Sequence, residues 1–460
     1  MNISFIDKGN ESRRLILVFP GWSCGKELYA DFSFNGWDVA VVEGYDDLSF
    51  DSTALKDYPT IYLFAWSLGV YMASVANIEE LITGAFALNG TLIPADDSYG
   101  IPVEIYKGTA TNLSPRNLLK FRRRMAGDAT TYKDLFSRSF SQEETELLKK
   151  ELLTIAEHQN PTPSFNLPWS KVFLSENDAI FPYENMKRHW EEAAGGVNCE
   201  IIPLKEGHYV PLDRIVRFCI PSIEKVSRRF SKAASTYNRR AVAQRELASI
   251  LCRHMKQAGL KNGGKFLEIG PGTGLFTEEV INTFSPSEID FVDISDMRPD
   301  AHGLPSSFHQ TDAEEWIANS EGRYDAILSS STVQWFVNLP LFIKNASERL
   351  KEGGMLGFST FLPGTMEELS SFRPSPLHYH SPEEIAEWLE PYFKEISIET
   401  LTITLSFDSP RELFSHLRET GVGGSAPSGN LPLSAIRKLR TLTFHCGCFS
   451  GKLKEINTKE

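Results

Sequence analysis

Ser67 stands in Ala65-Trp66-Ser67-Leu68-Gly69, after the apolar run 61–65 and before a helical run over 70–77. A serine at a tight strand-to-helix turn has its hydroxyl lifted above the sheet edge, at the positive end of the following helix. Small residues are needed two before and two after it, because the flanking backbones pass close. Ala65 takes the place of the first glycine of G-x-S-x-G. Such a hydroxyl becomes a nucleophile when a base takes its proton and amides receive the oxyanion. In the chain order Ser, Asp, His, the partners are Asp178, in Leu174-Ser175-Glu176-Asn177-Asp178-Ala179, and His208, in Glu206-Gly207-His208-Tyr209-Val210-Pro211. Each follows a strand candidate, so both loops emerge at one sheet edge. Phe19-Pro20-Gly21-Trp22 follows another strand, and the amides of Trp22 and Leu68 are the expected oxyanion donors. Glu176 competes with Asp178, and His158 and His189 compete with His208. Those two histidines lie in polar helical runs and read as solvated.

A second constellation begins at Gly270-Pro271-Gly272-Thr273-Gly274, between a strand over 265–269 and a helix over 275–283. Glycines there let the backbone approach a ligand and free amides at a helix start. Glu268 ends the strand. Asp293, 19 residues after Gly274, ends the next strand, 288–293, where its carboxylate can accept both ribose hydroxyls of a nucleoside. Asp312, in Thr311-Asp312-Ala313-Glu314, can meet an adenine amino group. Tyr324-Asp325-Ala326-Ile327-Leu328-Ser329-Ser330 is a further strand, with Ser329 assigned to the cofactor site. A pyrophosphate at this turn would meet the charge of Glu268, whereas an amino group would be attracted by it.

The elements that must hold these residues fall into two series of short apolar runs and helical stretches, which implies two α/β domains. Strands are expected over 15–19, 39–43, 61–65, 84–88, 171–175 and 199–204, then over 265–269, 288–293, 324–329 and 354–360. Residues 91–168, polar and helix-favouring before a Pro-rich loop, read as an inserted cap. The join is expected near 221–229, giving a first domain over 1–222 and a second over 223–460.

With 41% hydrophobic and 23% charged residues, 460 residues can bury full cores. The 47 basic side chains face 60 acidic ones, for a net charge of −13, which argues against a general nucleic-acid binder. The apolar runs fall far short of the ~20 residues a membrane span needs. The start of the chain shows no secretory pattern, and the six cysteines are scattered, only Cys446-Gly447-Cys448 lying close. Reduced thiols in the cytoplasm are expected, with no metal site among them. Within the cap, Arg116, Lys120, Arg122, Arg123, Arg124, Lys133 and Arg138 are opposed only by Asp128 and Asp134. In an acidic chain this excess would steer an acidic partner.

The first half resembles the α/β-hydrolases and, more narrowly, the BioG family of pimeloyl-acyl-carrier-protein methyl ester esterases. Phe19-Pro20-Gly21-Trp22, Ala65-Trp66-Ser67-Leu68-Gly69 and Gly207-His208 carry that resemblance over about 1–220. The second half resembles the class I S-adenosylmethionine-dependent methyltransferases, a Rossmann-like fold. Within them it is similar to the BioC family, the malonyl-acyl-carrier-protein O-methyltransferases. Three segments carry this over about 225–450: Arg229 to Gln244, the strand motif Ser329-Ser330-Ser331-Thr332-Val333-Gln334-Trp335, and His416-Leu417-Arg418-Glu419-Thr420-Gly421-Val422. Ser330 stands where that family commonly has Asn.

The resemblance implies a bifunctional enzyme of biotin synthesis: a carboxyl O-methyltransferase and a carboxylic ester hydrolase. It implies S-adenosylmethionine as cofactor and an acyl carrier protein bearing malonyl or a pimeloyl methyl ester as partner. A malonyl-CoA acceptor stays open, as do a free small carboxylic acid, a thioesterase and a non-catalytic carrier-binding hydrolase fold. Tyr237 would cover the methyl-transfer site. Gln334 and Trp335 either line an acceptor pocket or cap the sheet. Arg418, Arg437, Lys438 and Arg440 are candidates for the carrier or the substrate carboxylate.

Overall fold

In a parallel sheet both faces are covered, so its strands read as continuous apolar runs. Arg14–Phe19, RLILVF, is one, buried at every position. The computed structural model describes residues 1–9, 13–160, 166–193, 199–220, 223–369, 377–420 and 439–455. They divide into two units, Met1–Val216 and Arg217–Glu460.

The first unit contains β1 (Asn2–Asp7), β2 (Arg14–Phe19), β3 (Asp38–Glu43), β4 (Thr60–Trp66), β5 (Gly84–Leu88), β6 (Trp169–Ser175) and β7 (Glu200–Leu204), in the sheet order β1-β3-β2-β4-β5-β6-β7. All neighbours are parallel except β1, which is antiparallel to β3. The chain runs outward from β2 to β3 on one side and returns through β4 on the other. The loops after β2 and β4 therefore part at the carboxyl edge, where open α/β sheets take their ligands. Trp22 and Ser67 sit in those two loops. Between β5 and β6 the expected insertion folds as helices Val103–Thr111, Pro115–Ala126 and Gln142–His158. Ser141 opens the last with a capping box to Glu144.

The second unit contains β8 (Lys265–Ile269), β9 (Glu288–Asp293), β10 (Ser306–Gln310), β11 (Tyr324–Ser330), β12 (Leu350–Phe361), β13 (Phe393–Ser406) and β14 (Thr441–Leu453). Their order is β10-β9-β8-β11-β12-β14-β13, with β14 antiparallel to both of its neighbours. This is a Rossmann-like sheet whose order reverses at β8, so the glycine turn after β8 opens at the corresponding crevice. Helices Ile223–Arg240 and Val242–Gln257 precede β8.

Four strands were not expected from the sequence: β1, β10, β13 and β14. β1 and β10 are partly exposed edge strands without an apolar run. β13 is an alternating strand, FKEISIETLTITLS, mostly exposed on one side, and periodicity of two is its signal. Among the described residues no helix is long and apolar enough to cross a membrane.

Candidate functional site

At the end of β4, Ser67 has φ 59° and ψ −128°, a left-handed conformation that costs energy for a side-chain-bearing residue. The turn is closed by small residues. A Cβ on Gly69 would stand 2.2 Å from the Phe19 carbonyl oxygen, and one on Gly90 would stand 2.2 Å from that of Ser67. Such overlaps involve backbone and cannot be relieved by a rotamer change.

His208 Nε2 lies 2.9 Å from Ser67 Oγ, and His208 Nδ1 lies 2.7 Å from Asp178 Oδ2. Asp178 is anchored in turn through Oδ1, which accepts the amides of Ile180 and Phe181 at 2.7 and 2.9 Å. All three residues of the Ser67–His208–Asp178 set are thus brought together. The imidazole packs against two aromatic rings. Trp66 lies at a ring distance of 5.3 Å and Phe181 stacks at 6.2 Å. The His208 carbonyl is tied down by Trp66 Nε1 at 3.0 Å and by Asn89 Nδ2 at 2.8 Å. Asn89 and Phe181 were not identified from the sequence. Their role depends on contacts made across the sheet, and nothing local marks them.

Trp22 and Leu68 flank Ser67 in a cavity of about 250 Å³. Among the described residues neither backbone amide donates to another protein group, so both remain available to an oxyanion. The rest of the wall is apolar cap, including Ile101, Ile105, Tyr106, Phe121 and Leu152, with Arg124 as its cation. That lining suits a mostly apolar ligand.

Two other expectations in this unit, for Arg122 and His189, are corrected. Arg122 is not a surface cation. It is buried, its Nε donates to the Phe136 carbonyl at 3.0 Å, and its guanidinium also reaches the Ser23 carbonyl. It braces the loop that carries Trp22. Arg138 is exposed but ion-paired with Glu144 at 2.6 Å. His189 is buried rather than solvated, and its Nε2 accepts the Leu92 amide at 3.2 Å. Burial pushes its pKa down to about 4. His158 is exposed and lies against the Thr154 carbonyl. Arg116, Arg123 and Arg124 are exposed along one cap helix, with Arg123 over the Tyr132 ring and Arg124 over that of Phe121.

In the second unit a cavity lies over the carboxyl ends of β8, β9 and β11. Its floor holds Gly270, Gly272, Thr273, Asp293, Asp312, Ser330 and Ser331. Its roof is Phe230 and Tyr237 of the helix Ile223–Arg240, with Phe230 edge-on to Trp335 at 5.9 Å. Gly270 and Gly272 have φ +67° and +54°, and a Cβ on Gly272 would meet only Met297 Cε, at 4.0 Å. The turn thus leaves open space at Gly272, whereas a Cβ on Gly270 would stand 2.3 Å from Thr332 Oγ1. Asp293 Oδ2 accepts the Gly272 amide at 2.9 Å, and its Oδ1 accepts both the amide and the hydroxyl of Ser295 at 2.7 Å. Asp312 also caps the helix Ala313–Asn319, accepting the Glu314 amide at 2.8 Å. Burial, and secondarily the charge of Asp293, raise the pKa of Tyr237.

Some assignments move. Ser329 does not reach the cavity: its buried hydroxyl donates to the Ile269 carbonyl at 3.0 Å, because alternate residues of β11 face opposite sides. Gly274 is the left-handed cap of the helix Leu275–Phe284 and does not itself line the cavity, although Thr273 and Leu275 on either side of it do. Gln334 turns away from Trp335 into a separate small cavity beside Thr360 and His380. The Arg418 side chain, Arg437 and Lys438 lie outside the described residues. Arg440 donates to the Leu439 carbonyl.

Glu268 is buried behind the turn. Its Oε2 accepts the Thr277 hydroxyl at 2.8 Å, while Oε1 has no hydrogen-bond partner. Burial raises its pKa to about 8. A carboxyl group whose folded pKa is raised contributes stability below its unfolded value, near 4.5, and loses it as pH rises through about 8. Without ligand, Glu268→Gln is therefore expected to gain stability relative to the natural chain between pH 5 and 8, by on the order of a few kcal/mol. Thermal melts across that range check this; a difference independent of pH would contradict it.

Comparison with known proteins follows the same division. The family described as "Pimeloyl-ACP methyl esterase BioG" matches residues 1–216, and one described as "Methyltransferase domain" matches 238–420. A malonyl-[acyl-carrier protein] O-methyltransferase of Bacteroides fragilis is 30% identical over 426 residues, covering 90% of this chain and 85% of the relative. A protein of the same name from Chlorobium phaeovibrioides is 33% identical over 211 residues, 43% of this chain and 80% of its own. The crystal structure of BioG from Haemophilus influenzae is 29% identical, with a TM-score of 0.41, covering 46% of this chain and 94% of that one.

The cofactor of the methyltransferase domain is S-adenosylmethionine. The residues fit it: an open glycine turn, an acid at the end of β9, and in Glu268 a buried oxygen that an ammonium group would satisfy. Aligned over nine-tenths of its length with such a relative, this chain belongs to the malonyl-[acyl-carrier protein] O-methyltransferase family, and carries a BioG domain ahead of its methyltransferase domain.

Proposed function

We propose that one unit of this chain adds a methyl group to a carboxylate and the other removes it from an ester, at two stages of biotin synthesis. The methyl acceptor is the free carboxylate of malonyl held on acyl carrier protein. The ester is the methyl ester of pimeloyl held on the same kind of carrier. The name of the B. fragilis relative supports the first activity, and the BioG match supports the second. The observation that carries the hydrolytic reading is the continuous set of bonds Ser67–His208–Asp178, at 2.9 and 2.7 Å, inside an apolar cavity.

In the hydrolase, His208 takes the Ser67 proton through Nε2 while Asp178 holds the ring through Nδ1. Ser67 attacks the ester carbonyl, and the Trp22 and Leu68 amides receive the oxyanion. Methanol leaves with the proton from His208, and water then frees the acid by the same route. In the methyltransferase, bound S-adenosylmethionine supplies an electrophilic methyl group. The chain needs no general base for a carboxylate, which is already ionised at pH 7. Asp293 and Asp312 bind the nucleoside, Glu268 attracts the amino group, and Phe230, Tyr237 and Trp335 exclude water. Esterification removes the far charge of the acyl group, so apolar elongation pockets accept it. Hydrolysis later restores that charge. We assign this chemistry to the cytoplasm, in keeping with six free thiols.

The test is incubation of the full chain with S-adenosylmethionine and malonyl carrier protein, and separately with methyl-pimeloyl carrier protein, read by intact mass. The first carrier should gain one methyl group and the second should lose one while keeping its acyl chain. Release of the acyl chain would favour a thioesterase. Arg124, at the cavity that holds Ser67, is assigned to an acidic carrier. Arg124→Glu is expected to raise KM for the carrier-linked ester about tenfold at low salt, with little change for a small methyl ester. Equal effects on both substrates would contradict the assignment.

A further inference from the structure

The cavity that receives Gln334 is distinct from the cofactor cavity and has not been given a role. It measures about 10 Å³ and is lined by Gln334, Thr360, His378 and His380 among others. One nitrogen or oxygen from each of His378, His380 and Glu384 lies within 4.8 Å of the others. Two buried polar atoms here have no hydrogen-bond partner, His380 Nδ1 and Gln334 Oε1. Leaving a buried polar atom unsatisfied costs roughly 1–3 kcal/mol, so two beside one cavity call for a water molecule or another ligand between them.

Two of the three side chains, His380 and Glu384, are held by residues outside the set. His380 is edge-on to Trp388 at 4.7 Å and to His378 at 4.8 Å. Glu384 Oε2 accepts the Ser381 amide at 2.7 Å as part of a capping box, which leaves its second oxygen for a ligand. Two imidazoles and a carboxylate are a borderline-soft set that suits zinc-class ions, whereas magnesium and calcium prefer oxygen alone. Bonds of about 2 Å in a tetrahedron put ligand atoms ~3.3 Å apart, so small side-chain rotations would close the set.

We propose that His378, His380 and Glu384 form a binding site for one divalent transition ion of the zinc class, with a water molecule held by Gln334 Oε1 as fourth ligand. The ion has a structural role. It ties the segment 377–384 to Gln334, whose Nε2 donates to the Ser331 carbonyl at 2.6 Å. Ser331 lines the cofactor cavity, so the ion would stiffen that wall. The site is independent of the methyl-transfer and hydrolytic assignments.

The test uses the full chain, purified without a histidine tag and stripped with a chelator, then titrated with Zn(II) and Co(II). One equivalent should be retained through gel filtration at micromolar protein. The cobalt form should show the visible absorption of a four-coordinate site, and zinc should raise the melting temperature. His378→Ala with His380→Ala should lose that equivalent, and Glu384→Gln should weaken it at least tenfold. Failure of the natural chain to hold one equivalent overturns the proposal whatever the variants do. So does retention of the full equivalent by the double variant.

Discussion

Replacing Ser67 with alanine is expected to lower ester hydrolysis by about 10⁴-fold or more while methyl transfer continues at its natural rate. The hydroxyl is the attacking atom, and among the described residues no other hydroxyl is hydrogen-bonded to His208 Nε2, which lies 2.9 Å from Ser67 Oγ. Alanine keeps the backbone demand at φ 59°, so the turn should persist. Ser67→Gly is a second probe. It should be as inactive as the alanine variant but slightly more stable, because glycine takes a positive φ without the penalty of a Cβ. Turnover of methyl-pimeloyl carrier protein and thermal melts check both statements. Full esterase turnover by Ser67→Ala would sink the assignment and leave the first unit as a binding module.

The second large effect is expected at Asp293. Its carboxylate lines the cofactor cavity and receives the Gly272 amide, so it serves the nucleoside and the shape of the turn together. Asp293→Ala removes two prospective ribose bonds to a charged acceptor, each contributing about 1.5–3 kcal/mol. S-adenosylmethionine affinity should fall by about 10²-fold or more, with methyl transfer falling in parallel. Asp293→Asn, which keeps the size and one acceptor oxygen, should fall between. Calorimetric titration of the cofactor measures this directly. A thermal melt of the same preparation, compared with that of the natural chain, checks that the second unit has folded. Affinity within about threefold of the natural chain would place the ribose elsewhere.

Much of this was legible because the informative signals are local. A buried parallel strand must be apolar along its length, so β2, β4, β8 and β9 announce themselves, as do the turns that follow them. The elbow at Ser67 and the turn at Gly270–Gly274 need particular backbone conformations. Only a few residue types accept these, and so the motif is visible in the sequence. β13 is also periodic, but its alternation is weaker than an apolar run and its partner β14 lies 35 residues further along. Asn89 was invisible for a different reason: its amide holds the His208 carbonyl 119 positions away.

The sequence by itself determined two α/β units, the chain order Ser67, Asp178, His208, and Asp293 and Asp312 as candidate acids for a nucleoside. These rest on periodicity and on turn chemistry, which neighbours along the chain impose. Only the tertiary structure decided which way each side chain faces. It turned Ser329 inward and left Ser330 on the cavity, buried Arg122 as a brace, withdrew Gln334 towards His380, and packed His208 against Trp66 and Phe181. A strand's facing changes with a shift of one residue, and a cation's role changes with burial. Both are set by what packs against them from distant parts of the chain.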